Sequence, residues 1–102
     1  DLIRAYALAI KKIDKVSGEV LNIGGGLKNS ISVWKEFKPL LENLFQRKIN
    51  PETGDWRPGD QKIYISNNRK IHKLLNWTPK TSPKSGIEKL YKWVTANEKI
   101  FN

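Results

Sequence analysis

The chain has 102 residues, 38% of them hydrophobic and 28% charged, with a formal net charge of +9. Its length predicts one domain with at most a modest core. It contains no Cys and a single His, which excludes disulfides, a thiol nucleophile and any thiolate or multi-histidine metal site. No apolar run approaches the roughly 18 residues of a membrane span. Neither a secretory signal nor an initiator Met opens the chain, so we expect an excised piece of a cytoplasmic protein.

The N-terminal quarter of the chain predicts a helix followed by a strand. Between Asp1 and Ile13, apolar side chains recur at intervals of three and four residues, which is typical of an amphipathic helix: Ile3, Tyr6, Ile10 and Ile13. The apolar run Val20–Ile23 lies between glycines and predicts a short strand buried on both faces.

A second helix is predicted to begin after Ser32, whose hydroxyl suits an N-cap. Its apolar residues are predicted to be buried: Val33, Trp34, Phe37, Leu41, Leu44 and Phe45. Pro39 lies inside this pattern and lacks a backbone donor, so we expect it to kink or split the helix near Lys38.

Two further extended segments and two further helices are predicted in the second half. The extended segments are 49–51 and 62–66, and the most polar and irregular stretch, 52–60, lies between them. One helix is predicted over 67–75, ending at a left-handed Asn76, and the last begins at Pro83 after the N-cap Ser82. Its inner face is predicted to hold Ile87, Leu90, Tyr91 and Val94. About four helices with three short strands indicate the α/β class.

The irregular stretch contains the strongest candidate binding residues. Pro58 and Gly59 suit the centre of a tight turn, which would hold Arg57 and Asp60 in a fixed relative geometry. Arg57 offers a planar fork of donors for a phosphate or diphosphate, Asp60 could accept from ribose hydroxyls, and Trp56 adds a flat apolar face. The alternative interpretation is a surface ion pair flanking a turn.

Other features carry weaker functional hypotheses. Gly24-Gly25-Gly26 follows a predicted strand but has Asn29 where the dinucleotide fingerprint needs its third glycine, so a strand-to-helix corner is favoured over a pyrophosphate cradle. Asp55 and Asp60 with Glu52 form at most a poor cation site, and His72 fits an exposed helix position. The basic residues suggest a nucleic-acid-binding module as an alternative function, although they are dispersed in single residues and pairs.

Four motifs, in order, resemble the C-terminal third of the extended short-chain dehydrogenases/reductases, the NAD-dependent nucleotide-sugar epimerases and dehydratases. They are Asn22-Ile23-Gly24-Gly25-Gly26, Arg57-Pro58-Gly59-Asp60-Gln61, Leu74-Leu75-Asn76-Trp77-Thr78-Pro79, and Gly86-Ile87 with Trp93. The segment 54–66 most resembles the branch of CDP-sugar 2-epimerases. Small departures from the family pattern are Asn67, Asn76 and Pro39.

The resemblance implies a fold, a site and a set of partners. Residues 1–26 would be the last helix and strand of a Rossmann domain, and 27–102 the small substrate-binding domain. Arg57 would contact the diphosphate of a nucleotide sugar, with a CDP-sugar favoured, and Asp60 its ribose. None of the tyrosines has Lys four positions later, so the catalytic Tyr-x-x-x-Lys pair and the NAD fingerprint would lie in the rest of the parent chain. This piece alone is expected to bind no NAD, to be inactive, and to self-associate through exposed apolar surface.

Overall fold

The computed structural model describes residues 1–101, which form five α-helices joined by irregular segments and short helical turns. The helices are α1 Leu2–Lys11, α2 Ile13–Val16, α3 Lys38–Phe45, α4 Arg69–Leu75 and α5 Pro83–Ala96. Single turns of 3₁₀-helix occupy Leu27–Asn29 and Glu98–Ile100, and a π-helical turn occupies Val33–Phe37. No helix within residues 1–101 is both long enough and apolar enough to span a lipid bilayer.

The backbone contacts divide the chain into two compact units. The first unit combines Asp1–Ser30 with Tyr64–Ser82 and contains α1, α2 and α4. The second unit combines Ile31–Ile63 with the chain from Pro83 onward and contains α3 and α5. The assignment of 1–26 to a Rossmann domain and of 27–102 to a substrate domain stays a prediction.

The core of the first unit consists of five buried apolar side chains: Ala5, Val16, Ile71, Leu75 and Trp77. The predicted end of α4 is confirmed, because Asn76 takes the left-handed conformation at φ 55° and turns the chain immediately before Trp77. The Trp77 indole is 1% exposed, and its Nε1 donates to the Asp1 carbonyl at 3.2 Å. A buried indole therefore stays hydrogen-bonded, as its polar N–H requires.

The first predicted helix is confirmed as α1 and α2, but its apolar stripe does not face this core. Ala5 is buried and Leu8 and Ala9 are partly buried, whereas the side chains of the predicted stripe are 55% to 77% exposed: Ile3, Tyr6, Ile10 and Ile13. The exposed apolar surface agrees with the sequence expectation for this helix. Self-association through it stays a prediction.

The second predicted helix begins as expected and is divided as expected. Ser32 caps it, since its hydroxyl accepts from the Lys35 amide at 3.3 Å while the Glu36 carboxylate accepts from the Ser32 amide at 2.7 Å. The first turn is π-helical, with the Phe37 amide donating to the Ser32 carbonyl at 3.0 Å. Regular α-helix starts at Lys38, because Pro39 has no N–H to donate and its ring would collide with the carbonyl four residues earlier.

The prediction that this helix buries its apolar residues is wrong. Val33 is 59% exposed and Trp34 56% exposed, and Phe37, Leu41, Leu44 and Phe45 are only half-buried. The helix α3 packs against α5, and the ring centroids of Phe45 and Tyr91 lie 5.4 Å apart. One neighbouring helix covers one stripe of α3, so it cannot enclose apolar residues that extend around the π-helical turn.

The three predicted strands are also wrong: residues 1–101 contain no β-strand at 20–23, 49–51 or 62–66. A strand exists only when its amides and carbonyls pair with a neighbour, and no backbone hydrogen bond links these segments to one another. The burial predicted for 20–23 on both faces is also wrong, because Val20 is 80% exposed while Leu21 and Ile23 are partly buried against the core. The α/β class therefore stays an implication of the family resemblance.

Candidate functional site

The turn predicted at Pro58 and Gly59 is present. The Asp60 amide donates to the Arg57 carbonyl at 3.1 Å, which closes a four-residue turn. Pro58 occupies its second position and Gly59, with φ +86°, its third. A positive φ at the third position is the mark of a type II turn and explains why glycine stands there.

Asp60 holds the Arg57 end of the turn through one carboxylate oxygen. Its Oδ2 accepts from the Arg57 backbone amide at 3.3 Å and from the guanidinium Nε at 3.2 Å. The Arg57 side chain is nevertheless 85% exposed, whereas that of Asp60 is 33% exposed. The geometry fits both hypotheses made from the sequence, because a surface ion pair has formed and the outer edge of the guanidinium still faces solvent.

A cleft of about 330 Å³ opens beside this turn. Its lining residues all belong to the second unit: Trp34, Glu52, Thr53, Gly54, Asp55, Trp56 and Asp60. Asp60 lines the cleft and Arg57 does not, so the structure brings only one of the two predicted binding residues into this concavity. Arg57 is joined to the cleft through its ion pair with Asp60.

The cleft combines residues that the sequence singled out with one that it assigned elsewhere. Trp56 was predicted to add a flat apolar face beside Arg57, whereas Trp34 was predicted to be buried in the second helix. The Lys62 ammonium lies 5.2 Å from the centroid of the Trp56 ring, a cation–π contact. The available signal was the polarity and irregularity of 52–60, because irregular segments often carry function.

Trp34 lines the cleft from the π-helical turn that precedes α3. Trp34 is the second residue of Val33–Phe37, the turn that ends where Pro39 restores α-helical spacing. Such wide turns are uncommon and are frequent at functional sites. The same turn keeps Trp34 56% exposed, so it supplies an aromatic wall to the second unit and not a core contact.

The glycine run 24–26 is a packed corner. The Gly26 amide donates to the Ser66 hydroxyl at 2.9 Å, and the Asn68 amide group donates to the Gly24 carbonyl at 2.7 Å. A Cβ on Gly24 would lie 2.4 Å from the Ser66 Oγ, so close approach to Ser66 accounts for glycine there. The sequence favoured a strand-to-helix corner, but no strand precedes the glycines in residues 1–101, and Ser66 and Asn68, which the sequence did not single out, hold them in place.

The remaining candidates from the sequence are His72 and the carboxylates considered for a cation site. His72 is an exposed residue of α4, in the first unit. Within residues 1–101, no three His, Cys, Asp or Glu side chains are grouped so that they could hold a metal ion.

Comparison with known proteins decides which family these motifs indicate. The chain is 33% identical over 96 residues to the CDP-paratose 2-epimerase of Salmonella typhi, an alignment that covers 94% of this chain and 28% of that protein. The chain is a relative of the nucleotide-sugar epimerases and dehydratases. The resemblance stated from its motifs is confirmed.

Two other nucleotide-sugar epimerases and dehydratases show the same pattern. Identity is 32% over 88 residues with the UDP-glucuronate 4-epimerase of Thermodesulfobacterium geofontis, covering 86% of this chain and 27% of that protein. It is 32% over 101 residues with dTDP-glucose 4,6-dehydratase 1 of Escherichia coli, covering 93% of this chain and 28% of that enzyme. The chain thus spans less than a third of the length of these curated relatives. No family model and no solved structure matches it.

Proposed function

We propose that this chain is the C-terminal, substrate-binding portion of an NAD-dependent nucleotide-sugar epimerase or dehydratase. The observation that carries the proposal is the turn at 57–60, which fixes an exposed guanidinium beside a cleft lined by two indoles. The relatives support it, because each is named for a reaction of a nucleotide-linked sugar. A diphosphate needs a cationic donor, a ribose needs a hydrogen-bond acceptor and a base needs a flat apolar face. This region offers the Arg57 guanidinium, the Asp60 carboxylate and the indoles of the cleft.

In this proposal, Arg57 binds the diphosphate and Asp60 binds the ribose. The Arg57 guanidinium uses Nε for Asp60, which leaves its outer edge for phosphate oxygens, a geometry that arginine satisfies with two parallel hydrogen bonds. Asp60 engages Arg57 through Oδ2, so Oδ1 remains an acceptor for ribose hydroxyls. The ion pair then orients both groups before the ligand arrives, which reduces the entropy lost on binding.

The chemistry is proposed for the longer parent protein. There NAD would oxidise one carbon of the sugar and return the hydride, at C2 if the parent is a CDP-sugar 2-epimerase, the activity in the name of the Salmonella typhi relative. Residues 1–26 would complete the NAD-binding domain and 27–102 would hold the substrate. Since no Tyr-x-x-x-Lys pair occurs in these 102 residues, the chain alone should bind nucleotide without turning it over.

Nucleotide titration of the chain tests the proposal. CDP, UDP and GDP should bind, and Arg57→Ala should weaken the tightest of them about 10- to 150-fold, the equivalent of about 1.5 to 3 kcal/mol. Arg57→Lys keeps the charge but removes the fork, so it should restore only part of the affinity. Arg47→Ala is the matched control, because Arg47 is also in the second unit but lies over the Phe45 ring.

Equal affinity of Arg57→Ala and the unchanged chain for all three nucleotides would refute the diphosphate contact. The same titration with an oligonucleotide checks the alternative raised by the net charge of +9. Affinity for nucleic acid that falls steeply with salt, together with no binding of mononucleotides, would favour that alternative.

A further inference from the structure

The cleft beside the Arg57 turn holds two carboxylates that nothing in the second unit uses. Glu52 and Asp55 line it, and neither makes a hydrogen bond or an ion pair within residues 1–101. The third carboxylate, Asp60, is engaged by Arg57. Because these carboxylates are not grouped as metal ligands, each acts as a separate hydrogen-bond acceptor.

The walls of the same cleft are aromatic. Trp34 is 56% exposed and Trp56 is 64% exposed, although both are large apolar side chains in a chain with few buried ones. Indole faces stack on flat π-systems, and nucleobases stack on aromatic side chains whatever their identity. The cleft of about 330 Å³ is within the range of sites that take small molecules.

The position of Asp60 orients a nucleotide relative to the cleft. Asp60 both lines the cleft and binds Arg57, whereas Arg57 does not line it. In a nucleoside diphosphate the ribose lies between the base and the phosphates, so ribose at Asp60 and phosphates at Arg57 leave the cleft for the base. The reverse orientation would place phosphates against Glu52 and Asp55 and is opposed by charge repulsion.

We propose that Glu52 and Asp55 select a nucleobase that carries an exocyclic amino group, represented by cytosine, over uracil. An ionised carboxylate accepts from the amino group at position 4 of cytosine and repels the keto oxygen that uracil has there. The base stacks against Trp34 or Trp56 while the carboxylates read its edge. This inference rests on the proposed nucleotide function and adds the residues that determine base specificity.

The test compares CDP with UDP, which differ only at that edge of the base. The unchanged chain should bind CDP at least about fivefold more tightly than UDP, the lower end of one base-reading contact. In Glu52→Gln/Asp55→Asn the preference should disappear, because a neutral amide can donate to the keto oxygen as well as accept. Both residues are exposed and unbonded, and circular dichroism should show the same helix content in the variant.

Arg57→Ala separates this inference from the proposed function. It should weaken CDP and UDP by the same factor and leave their ratio unchanged, because the phosphates are common to both. If both nucleotides bind and Arg57→Ala weakens both, but the CDP-to-UDP ratio is near one or survives the double substitution, only the base selection is refuted. If neither nucleotide binds at millimolar concentration, the proposed function and the base selection fail together.

Discussion

The two units of the chain differ in how completely they bury apolar side chains. All five buried apolar residues of the described chain lie in the first unit, and the second unit, over 31–63 and 83–101, has no fully buried residue. Its large side chains stay exposed instead, including Trp34, Trp56, Leu90 and Trp93 at 51% to 64%. The first unit therefore has a small packed core beside exposed apolar side chains such as Ile3 and Val20, whereas the second unit has no such core.

The polar contacts differ in the same direction. In the first unit they join distant parts of the chain, as when the Asp1 carboxylate accepts from the Lys80 and Thr81 amides at 3.1 and 2.9 Å. In the second unit they are mostly local, like the ion pairs Lys38–Glu42 and Arg57–Asp60, four and three residues apart. Local contacts shape individual turns, whereas distant ones fix one segment against another, so the comparison predicts different responses to substitution.

The largest difference is expected for matched leucine truncations. Leu75→Ala removes a side chain that is 1% exposed and leaves a cavity beside Trp77, so it should lower the free energy of unfolding by about 2 to 5 kcal/mol. Leu90→Ala, at a position that is 60% exposed in the second unit, should cost about 1 kcal/mol or less. Urea titrations followed by circular dichroism measure both, and equal losses would contradict the contrast between the units.

A smaller difference is expected at two glycines. Gly24→Ala places a Cβ 2.6 Å from the Ser66 Cβ, so the corner must shift, and we expect a cost of about 1 to 3 kcal/mol. Gly54→Ala meets no atom within 4 Å and should change the free energy of unfolding by less than about 1 kcal/mol. Thermal melts of the two variants measure the difference. If the Gly24→Ala protein is as stable as the Gly54→Ala protein, the backbone around Gly24 accommodates the added methyl group, and the expected contrast is wrong.

The sequence predicted the features that local chemistry determines. The cap at Ser32, the start of α5 at Pro83, the left-handed Asn76, the break near Lys38 and the turn around Gly59 all follow from the conformational limits of single residues. The pairing of Arg57 with Asp60 was one of the two alternatives stated for that turn. For these features, the identities of three or four neighbouring residues are enough to predict the local backbone conformation.

Features that depend on distant partners were not predictable in the same way. The run Val20–Ile23 has strand composition, but a strand needs a second segment to pair with, and none of residues 1–101 pairs with 20–23. Trp34 is a large apolar residue of the kind that usually packs in a core, yet it lines a cleft. Its burial depends on segments outside its own helix, which the local sequence does not identify. Likewise, Ser66 and Asn68 gave no signal as the residues that hold the glycine corner, since their partners lie 40 and 44 positions away.

The smallest expected effect tests the local contacts of the second unit. Glu42 accepts from the Lys38 ammonium at 2.6 Å and from the Ile49 amide at 2.9 Å, and these hydrogen bonds, that of Lys38 first, hold the pKa of its carboxyl below the ordinary value. A lowered pKa in the folded state means that the charged carboxylate stabilises the fold at neutral pH. That contribution is fully present above the ordinary pKa and disappears as the pH falls through the lowered one.

Glu42→Gln should therefore lower the melting temperature slightly at pH 7, and the difference from the unchanged chain should vanish under acid conditions that protonate Glu42. Gln can still accept from the Ile49 amide, so the substitution removes the charge and keeps that bond. Glu98→Gln is the control, because Glu98 has no ion pair within residues 1–101, and its substitution should leave the melting temperature at pH 7 unchanged. A Glu42→Gln deficit that persists undiminished in acid would mean that packing, and not the local ion pair, stabilises this end of α3.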